Sequence, residues 1–154
     1  MSALIRPAER RDAQALHTLM RGLAIFERYI DDFGITPALV VALGFDRDPP
    51  AFHALVAEYD GEIVGMLVYY FIPFAFRGRP TFYMKELFVR EDRRGNGIGE
   101  QLIEAAKRIA SETGCAIMKW HVARWNGDAA RFYQRLGGRS DDVWVEYTMR
   151  LADQ

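Results

Sequence analysis

A glycine-rich segment, Arg94-Gly95-Asn96-Gly97-Ile98-Gly99, carries the residue types in this sequence that are best suited to binding an anion. It lies between an apolar run at 82–89, typical of a β-strand, and a pattern with helical periodicity that begins at Ile98. Glycine permits positive φ and a close approach of the backbone to a ligand. A helix N-terminus adds unpaired N–H groups and a partial positive charge. With Arg93 and Arg94 beside them, these features predict a pyrophosphate site.

The glycine spacing excludes two common classes of nucleotide site. A Walker loop continues with Gly-Lys-Ser or Gly-Lys-Thr, whereas Gly97 is followed by Ile98-Gly99-Glu100. The dinucleotide fingerprint G-x-G-x-x-G fails as well, because the sixth position counted from Gly95 is Glu100. The acidic residue expected about 20 positions further on is replaced by an apolar run. Spacing alone leaves open that the glycines only form a tight turn before the helix.

The elements that must position this segment follow from hydrophobic periodicity and turn signals. Asp12 is the predicted N-cap of the first helix, Asp60-Gly61 predicts a hairpin turn, and 73–80 a loop with two aromatic side chains. Strands are predicted at 3–6, 52–59, 62–71, 82–89, 115–122 and 143–151, and helices at about 12–26, 38–43, 98–112 and 126–136. This order predicts an α/β fold with a mixed, mostly antiparallel central sheet and helices on both faces.

Length and composition limit the classes of protein that this chain can be. Its 154 residues, half of them apolar and 13% aromatic, predict one packed domain covering 1–154. A formal net charge of −1, with 20 basic and 21 acidic residues, argues against a nucleic-acid partner. The sequence has no run of roughly 18 apolar residues to span a membrane, and charge and Pro7 come too early for a signal peptide. We therefore expect a cytoplasmic protein without a metal site, in which the single cysteine, Cys115, is a small buried residue.

The glycine segment and its surroundings resemble the acyl-coenzyme A motif of the GNAT family of N-acetyltransferases. The match is R-x-x-G-x-G at a junction between a strand and a helix, and the predicted order of elements is also similar to the fold of that family. Within the family, the sequence is most similar to the spermidine/spermine (diamine) acetyltransferase branch. The segments that carry this similarity are GLAIFE at 22–27, YYF at 69–71, FYMKELFV at 82–89 and VARWNGDAARFYQRLGG at 122–138.

The resemblance implies a binding site for acetyl-coenzyme A as a co-substrate. In the family the central strand splays from its neighbour, so that free backbone N–H groups near Leu87, Phe88 and Val89 would meet the acetyl carbonyl and the pantetheine arm. The pyrophosphate would lie on the glycine segment, which supplies Arg94, Gly95, Asn96, Gly97, Ile98, Gly99 and Glu100. The start of the later helix would line the other side of the coenzyme with Asn126, Gly127, Asp128 and Ala129.

Two residues are candidates for moving protons. Tyr133 matches the proton donor of the family, and a tyrosine with an ordinary pKa of about 10 is protonated at neutral pH and can give its proton to a thiolate. Its place on the apolar stripe of its helix is equally typical of a core tyrosine. Glu86 is the carboxylate on the central strand that could take the proton of an attacking amine, directly or through water. It could instead only pair with Lys85 or Arg77.

The acceptor amine is expected near Glu27, Lys85, Trp120 and His121. Glu27 and the acids that follow it would attract a cation, although they would also suit a solvated helix end; a lone strand histidine is commonly structural. The diamine branch carries two adjacent acids where this chain has Lys85-Glu86, and the segment FAFR at 74–77 has no acid for a second ammonium. Lys85 would disfavour a polycation and could pair with a substrate carboxylate, so an amino-acid-like amine rivals a polyamine.

These inferences together predict an enzyme that transfers an acetyl group from acetyl-coenzyme A to the primary amine of a small molecule by direct attack. The resemblance also implies a homodimer. A different class of protein, a non-catalytic acyl-coenzyme A sensor or regulatory module, would keep the glycine segment but would need no proton donor. A nucleotide-binding oxidoreductase is disfavoured by the glycine spacing.

Overall fold

A computed structural model describes residues 2–152, which form two compact units that adjoin in sequence between His121 and Val122. In chain order, the first unit comprises β1 (Leu4–Pro7), α1 (Ala13–Phe26), α2 (Pro37–Gly44), β2 (His53–Tyr59), β3 (Glu62–Phe76), β4 (Arg79–Val89), α3 (Ile98–Glu112) and β5 (Met118–Lys119). The second unit contains α4 (Gly127–Arg135). Among the described residues, no helix is long and apolar enough to cross a membrane.

The described strands form one five-stranded sheet in the order β1-β2-β3-β4-β5. Neighbouring strands are antiparallel, except that β4 and β5 pair in parallel. At the β2–β3 hairpin, Asp60 and Gly61 have φ values of 53° and 78°, as the predicted Asp-Gly turn requires. The predicted α/β class with a mixed, mostly antiparallel sheet is therefore confirmed.

Alternate residues of the central strands face two different helical layers. Met66 of β3 lies in a buried cluster with Leu16 of α1. Its neighbour Gly65 points to the opposite face, where a Cβ would meet Ile98 Cγ2 and Leu102 Cδ1 of α3 at 3.4 Å. Helices thus cover both faces of the sheet, as predicted, and α3 packs closely on β3 at Gly65.

Asp12 lies at the start of α1, but its carboxylate does not cap that helix. It accepts the N–H of Glu9 at 2.7 Å and two hydrogen bonds from the Arg6 guanidinium of β1, at 2.7 and 3.0 Å. Arg6 also reaches Glu58 of β2 at 3.3 Å. Arg6 lowers the pKa of the buried Asp12 carboxyl despite its desolvation. The predicted N-cap position of Asp12 is therefore confirmed, but its carboxylate makes no capping hydrogen bond to α1, because a nearby guanidinium is the stronger partner for a buried carboxylate.

Three predicted segments differ from the structure. β3 and β4 extend through most of the predicted loop at 73–80 and turn at Arg77-Gly78. The predicted strand at 115–122 is reduced to β5. Cys115, which precedes β5 and was expected to be buried, is half-buried, and burial raises the pKa of its thiol. Residues 143–151 form no strand in the described chain. Their alternating pattern suits a strand, but a strand also needs a hydrogen-bonded neighbour, and the described sheet ends at β5.

Candidate active site

The glycine segment forms an open approach to the N-terminus of α3. Gly95 and Gly97 have φ values of 81° and 78°, in the left-handed region that favours glycine. A Cβ at either position would meet no described atom within 4 Å, so no described side chain covers the backbone there. Ile98, Gly99 and Glu100 form the first turn of α3, and no side chain of the described residues caps it. The N–H groups of that turn are therefore available to an anion.

Side chains of the segment hold its shape and connect it to the sheet. Asn96 Nδ2 donates to the carbonyl oxygen of Arg93 at 3.1 Å. Arg94 Nε donates to the carbonyl oxygen of Val89 at 2.9 Å, and its guanidinium carbon lies 5.1 Å from the ring centroid of Phe88. The exposed Arg94 thus joins the loop to the end of β4 and keeps a positive charge close to the start of α3.

A β-bulge interrupts β4 at Lys85. Val68 of β3 pairs with Glu86, whereas the next residue, Tyr69, pairs with Met84, so that Lys85 is the extra residue on β4. A bulge bends the strand and changes the direction of its side chains, and bulges are common beside active sites. Lys85 is exposed here, while Glu86 is buried.

The second half of β4 has an open edge. β5 pairs with β4 through Phe82 and Tyr83, and no strand of the described chain pairs with that side of β4 beyond them. Leu87, Phe88 and Val89 follow on this open stretch and are half-buried. This open stretch lies where the central strand was expected to splay from its neighbour; the splay and the roles of these three residues stay predictions.

The Glu86 carboxyl lies in a cluster of ionisable groups. It is 7% exposed, and the Tyr29 hydroxyl donates to its Oε2 at 3.3 Å. Burial raises the pKa of Glu86; the charge of Glu27 raises it further, whereas Lys85 and the Tyr29 hydrogen bond lower it. Burial also raises the pKa of Glu27, and the charge of Lys85 lowers it. A carboxylate whose pKa is raised in this way is a stronger proton acceptor than an exposed one.

The other two predicted acceptor residues follow β5. Trp120 is half-buried and His121 is exposed. The Tyr83 hydroxyl is hydrogen-bonded to His121 Nδ1, and the two ring centroids are 5.7 Å apart. The predicted acceptor residues of the first unit therefore fall into two groups, the cluster around Glu86 and the residues beside the Tyr83–His121 contact.

The second unit carries the remaining predicted residues. Asn126 Oδ1 accepts the N–H of Ala129 at 3.1 Å, so that Asn126 is the N-cap of α4. Gly127 and Asp128 form the first turn, and Tyr133 lies further along the helix, half-buried. The helix predicted at 126–136 is confirmed to within one residue at each end.

A model of the Acetyltransferase (GNAT) family matches residues 16–138 of this sequence. The chain belongs to this family. Thialysine N-epsilon-acetyltransferase of Sus scrofa is 35% identical over 146 residues, which are 90% of this chain and 85% of that protein. The human spermidine/spermine N(1)-acetyltransferase-like protein 1 is 29% identical over 91% of this chain and 21% of its own length. An aminoglycoside N-acetyltransferase solved with CoA, 20% identical, shares the fold with a TM-score of 0.76, covering 96% of this chain and 95% of that one.

As a GNAT acetyltransferase, the protein uses acetyl-coenzyme A as its acetyl donor. This co-substrate supplies the acetyl group and a thiolate leaving group when it is bound. Two features of the first unit fit it. In the described residues, the start of α3 after Gly97 has no side-chain cap and offers N–H groups to phosphates, and the second half of β4 has no strand on its open side, where an extended arm could lie.

Sequence reasoning missed Tyr29 as the partner of Glu86. The acidic and aromatic residues after α1 were a signal that this stretch could meet a cation, but they did not distinguish one aromatic side chain from another. The contact spans 57 positions in the sequence, and local periodicity carries no information about such a pair.

Proposed function

We propose that this acetyltransferase transfers the acetyl group of acetyl-coenzyme A to the primary amine of a small molecule, by direct attack of the amine. The observation that carries the proposal is the buried Glu86 carboxyl next to Lys85, on the strand whose second half has an open edge. The names of the relatives support this class of acceptor, since thialysine, spermidine and spermine are all small amines.

Glu86 is the proposed acceptor of the amine proton. An amine attacks only when it is neutral, and a lysine-like ammonium with a pKa of about 10 must first lose a proton. The raised pKa of Glu86 supports this role, because it brings the basicity of the carboxylate towards that of its substrate. The proton passes from the amine nitrogen to a Glu86 oxygen, directly or through water.

Tyr133 is the proposed donor of the proton that the departing thiolate takes up. Its support is the similarity of 122–138 to the family segment that carries the donor, together with the ordinary tendency of a tyrosine to keep its proton at neutral pH. The half-buried position of its side chain is compatible with the donor and with a core tyrosine, so a variant must decide between them.

The same proposal assigns the coenzyme to three stretches of chain. Backbone groups of Leu87, Phe88 and Val89 would meet the acetyl carbonyl and the pantetheine arm, and the glycine segment from Arg94 to Glu100 would hold the pyrophosphate. The residues from Asn126 to Ala129 would line the coenzyme as well. The uncovered backbone at Gly95 and Gly97 supports the assignment of the pyrophosphate to the glycine segment.

Lys85 bears on the choice between a polyamine and an amino-acid-like amine. Its exposed ammonium stands next to Glu86 on the bulge and lowers the pKa of Glu27 and of Glu86, so it acts on both carboxyls. A second ammonium of a polyamine would be repelled there, whereas a substrate carboxylate would be attracted. We propose an amino-acid-like amine as the better substrate, with Trp120 and His121 as further contacts.

The variant Lys85→Glu tests this proposal through thiol release from acetyl-coenzyme A with spermidine, lysine, thialysine and ornithine as acceptors. Reversing the charge should change the ratio of kcat/KM for spermidine to that for thialysine by about tenfold in favour of spermidine. Lys107→Glu is the matched control, since Lys107 is an exposed lysine of α3 paired with Glu104, and it should leave the ratio unchanged.

Two outcomes would count against the proposal. Equal ratios in Lys85→Glu and Lys107→Glu would exclude Lys85 as a determinant of the acceptor. Binding of acetyl-coenzyme A without thiol release on any amine would contradict acetyl transfer to small amines and would favour the sensor.

We also propose that residues 1–154 act as one domain, in the cytoplasm, as a homodimer that does not bind nucleic acid. The family model covers residues 16–138 and so continues from the first compact unit into the second, which supports a single functional domain. The support for the homodimer is the resemblance of the sequence to the GNAT family, which implies association of two copies. A monomeric mass by light scattering at micromolar concentration would contradict the dimer, and recovery of the protein outside the cytosolic fraction would contradict the location.

A further inference from the structure

The Tyr29 side chain reaches the Glu86 carboxyl from a different part of the fold. Its hydroxyl donates to Glu86 Oε2 at 3.3 Å, from the turn that follows α1 to the middle of β4. Tyr29 is half-buried and Glu86 is buried, so the bond is partly shielded from water. A hydrogen bond to a charged acceptor in such surroundings is stronger than one at the surface.

The backbone after α1 fixes the direction of Tyr29. The Tyr29 N–H donates to the carbonyl oxygen of Ala24 at 2.9 Å, and the Arg28 N–H donates to that of Ile25 at 3.2 Å. These two bonds form a Schellman motif, which turns the chain sharply at a helix C-terminus. Arg28 adopts φ of 67°, where glycine is usual, so the turn keeps a strained residue at this point.

We propose that Tyr29 is a positioning residue for the acetyl transfer, which holds the Glu86 carboxylate ionised and directed at the acceptor amine. This inference rests on the proposed function, in which Glu86 takes the amine proton. Tyr29 acts through Glu86 and has no step of its own. When the amine nitrogen gives up its proton, the proton moves to a Glu86 oxygen, and the Tyr29 O–H bond stays intact throughout.

The charges around Glu86 explain why it needs such a donor. Burial and the charge of Glu27 disfavour its ionised form, and they are opposed by Lys85 on the same strand and by Tyr29. Burial also raises the pKa of Tyr29, so that its hydroxyl keeps its proton and remains a donor at neutral pH. Without the hydroxyl, the Glu86 carboxylate would lose one of two groups that stabilise it.

The variant Tyr29→Phe tests the inference, because it removes the hydroxyl and keeps the ring. We expect the acidic limb of the pH profile of kcat/KM to move to higher pH, since the pKa of Glu86 rises when its donor is lost. Activity on the acidic limb should fall by about threefold to tenfold, and the loss should disappear at higher pH, where Glu86 is ionised in both enzymes. The ionisation of the substrate amine is common to both enzymes, so any difference between the profiles belongs to the protein.

Tyr59→Phe is the matched control, as it removes a hydroxyl at the β2–β3 hairpin while the ring stays beneath the Arg93 guanidinium. Its pH profile should superimpose on that of the unmodified enzyme. In the double variant Tyr29→Phe/Glu86→Gln, loss of the hydroxyl should have little further effect, because the two residues act as a unit. A uniform loss of activity at every pH in Tyr29→Phe, or additive losses in the double variant, would overturn the inference.

A titration without substrate separates this inference from the proposed function. With ¹³C-labelled glutamate carboxyls, the signal of Glu86 is the one that disappears in Glu86→Gln, and its titration can be followed by NMR. We expect Glu86 to titrate at higher pH in Tyr29→Phe than in the unmodified protein. Equal titration in both would overturn the role of Tyr29, even if amine acetylation is established. Absence of amine acetylation, with the titration shifted, would instead overturn the proposed function.

Discussion

At the scale of single residues, Tyr133 carries a direct prediction, because its hydroxyl is the proposed proton source for the thiolate. Tyr133→Phe should lower kcat by about 100-fold or more, the usual contribution of a general acid. The dissociation constant of coenzyme A should change by about twofold at most, since a phenylalanine ring fills the same space. Steady-state thiol release and calorimetric binding of coenzyme A measure the two quantities.

The control for that variant is Tyr147→Phe in the same unit, where the tyrosine is 93% exposed. This change should leave both kcat and coenzyme binding as they are in the unmodified enzyme. If Tyr133→Phe keeps its turnover, Tyr133 is a core tyrosine and the proton comes from another group.

The sequence alone was sufficient to select Glu86 and Glu27 as candidate carboxyls, but it could not show how they are held. The bulge at Lys85 depends on the register between β3 and β4, and the hydrogen bond from Tyr29 depends on the turn at Arg28. Both are consequences of tertiary pairing, whereas sequence patterns report the local periodicity of a single element.

At the scale of elements, the strand, glycine segment and helix around the α3 N-terminus were predictable because each has a local signal. The apolar run that ends at Val89 predicted β4, and the apolar stripe that contains Ile98 and Leu102 predicted α3. The glycines predicted positive φ between them, which Gly95 and Gly97 adopt. An α3 N-terminus without a side-chain cap is the feature that a pyrophosphate site needs.

Gly97→Ala should weaken coenzyme A binding by about tenfold. The cause is conformational, because the added Cβ meets no described atom within 4 Å but opposes φ of 78°. A shift of the loop away from this φ would displace the first N–H groups of α3. Isothermal titration with coenzyme A measures the effect.

Gly114→Ala is the control, since Gly114 has φ of 85° and equally open surroundings beyond the other end of α3. Gly114→Ala should lower the free energy of unfolding by about 1 kcal/mol, as we also expect for Gly97→Ala, but it should leave coenzyme A binding unchanged. If coenzyme A binding were weakened equally in both variants, general destabilisation would explain the weaker binding. An anion site at the α3 N-terminus would then not be supported.

At the scale of the whole molecule, sequence reasoning was least successful where an element needs a distant partner. The hairpin at Asp60-Gly61 forms because its two strands are adjacent in the chain. Residues 143–151 have an equally regular pattern but make no strand, and Trp144, Tyr147 and Met149 are mostly exposed. A pattern therefore predicts that a segment can be a strand, and only the assembled sheet decides whether a neighbour is present.

The central claim, transfer of an acetyl group to the nitrogen of a small amine, is tested most directly by product analysis. The enzyme would be incubated with deuterium-labelled acetyl-coenzyme A and a mixture of lysine, thialysine, ornithine, spermidine and an aminoglycoside, and the amines analysed by mass spectrometry. We predict that a labelled N-acetyl product accumulates in proportion to the free thiol, with an amino-acid-like amine labelled first. Release of thiol without any labelled amine would contradict the claim.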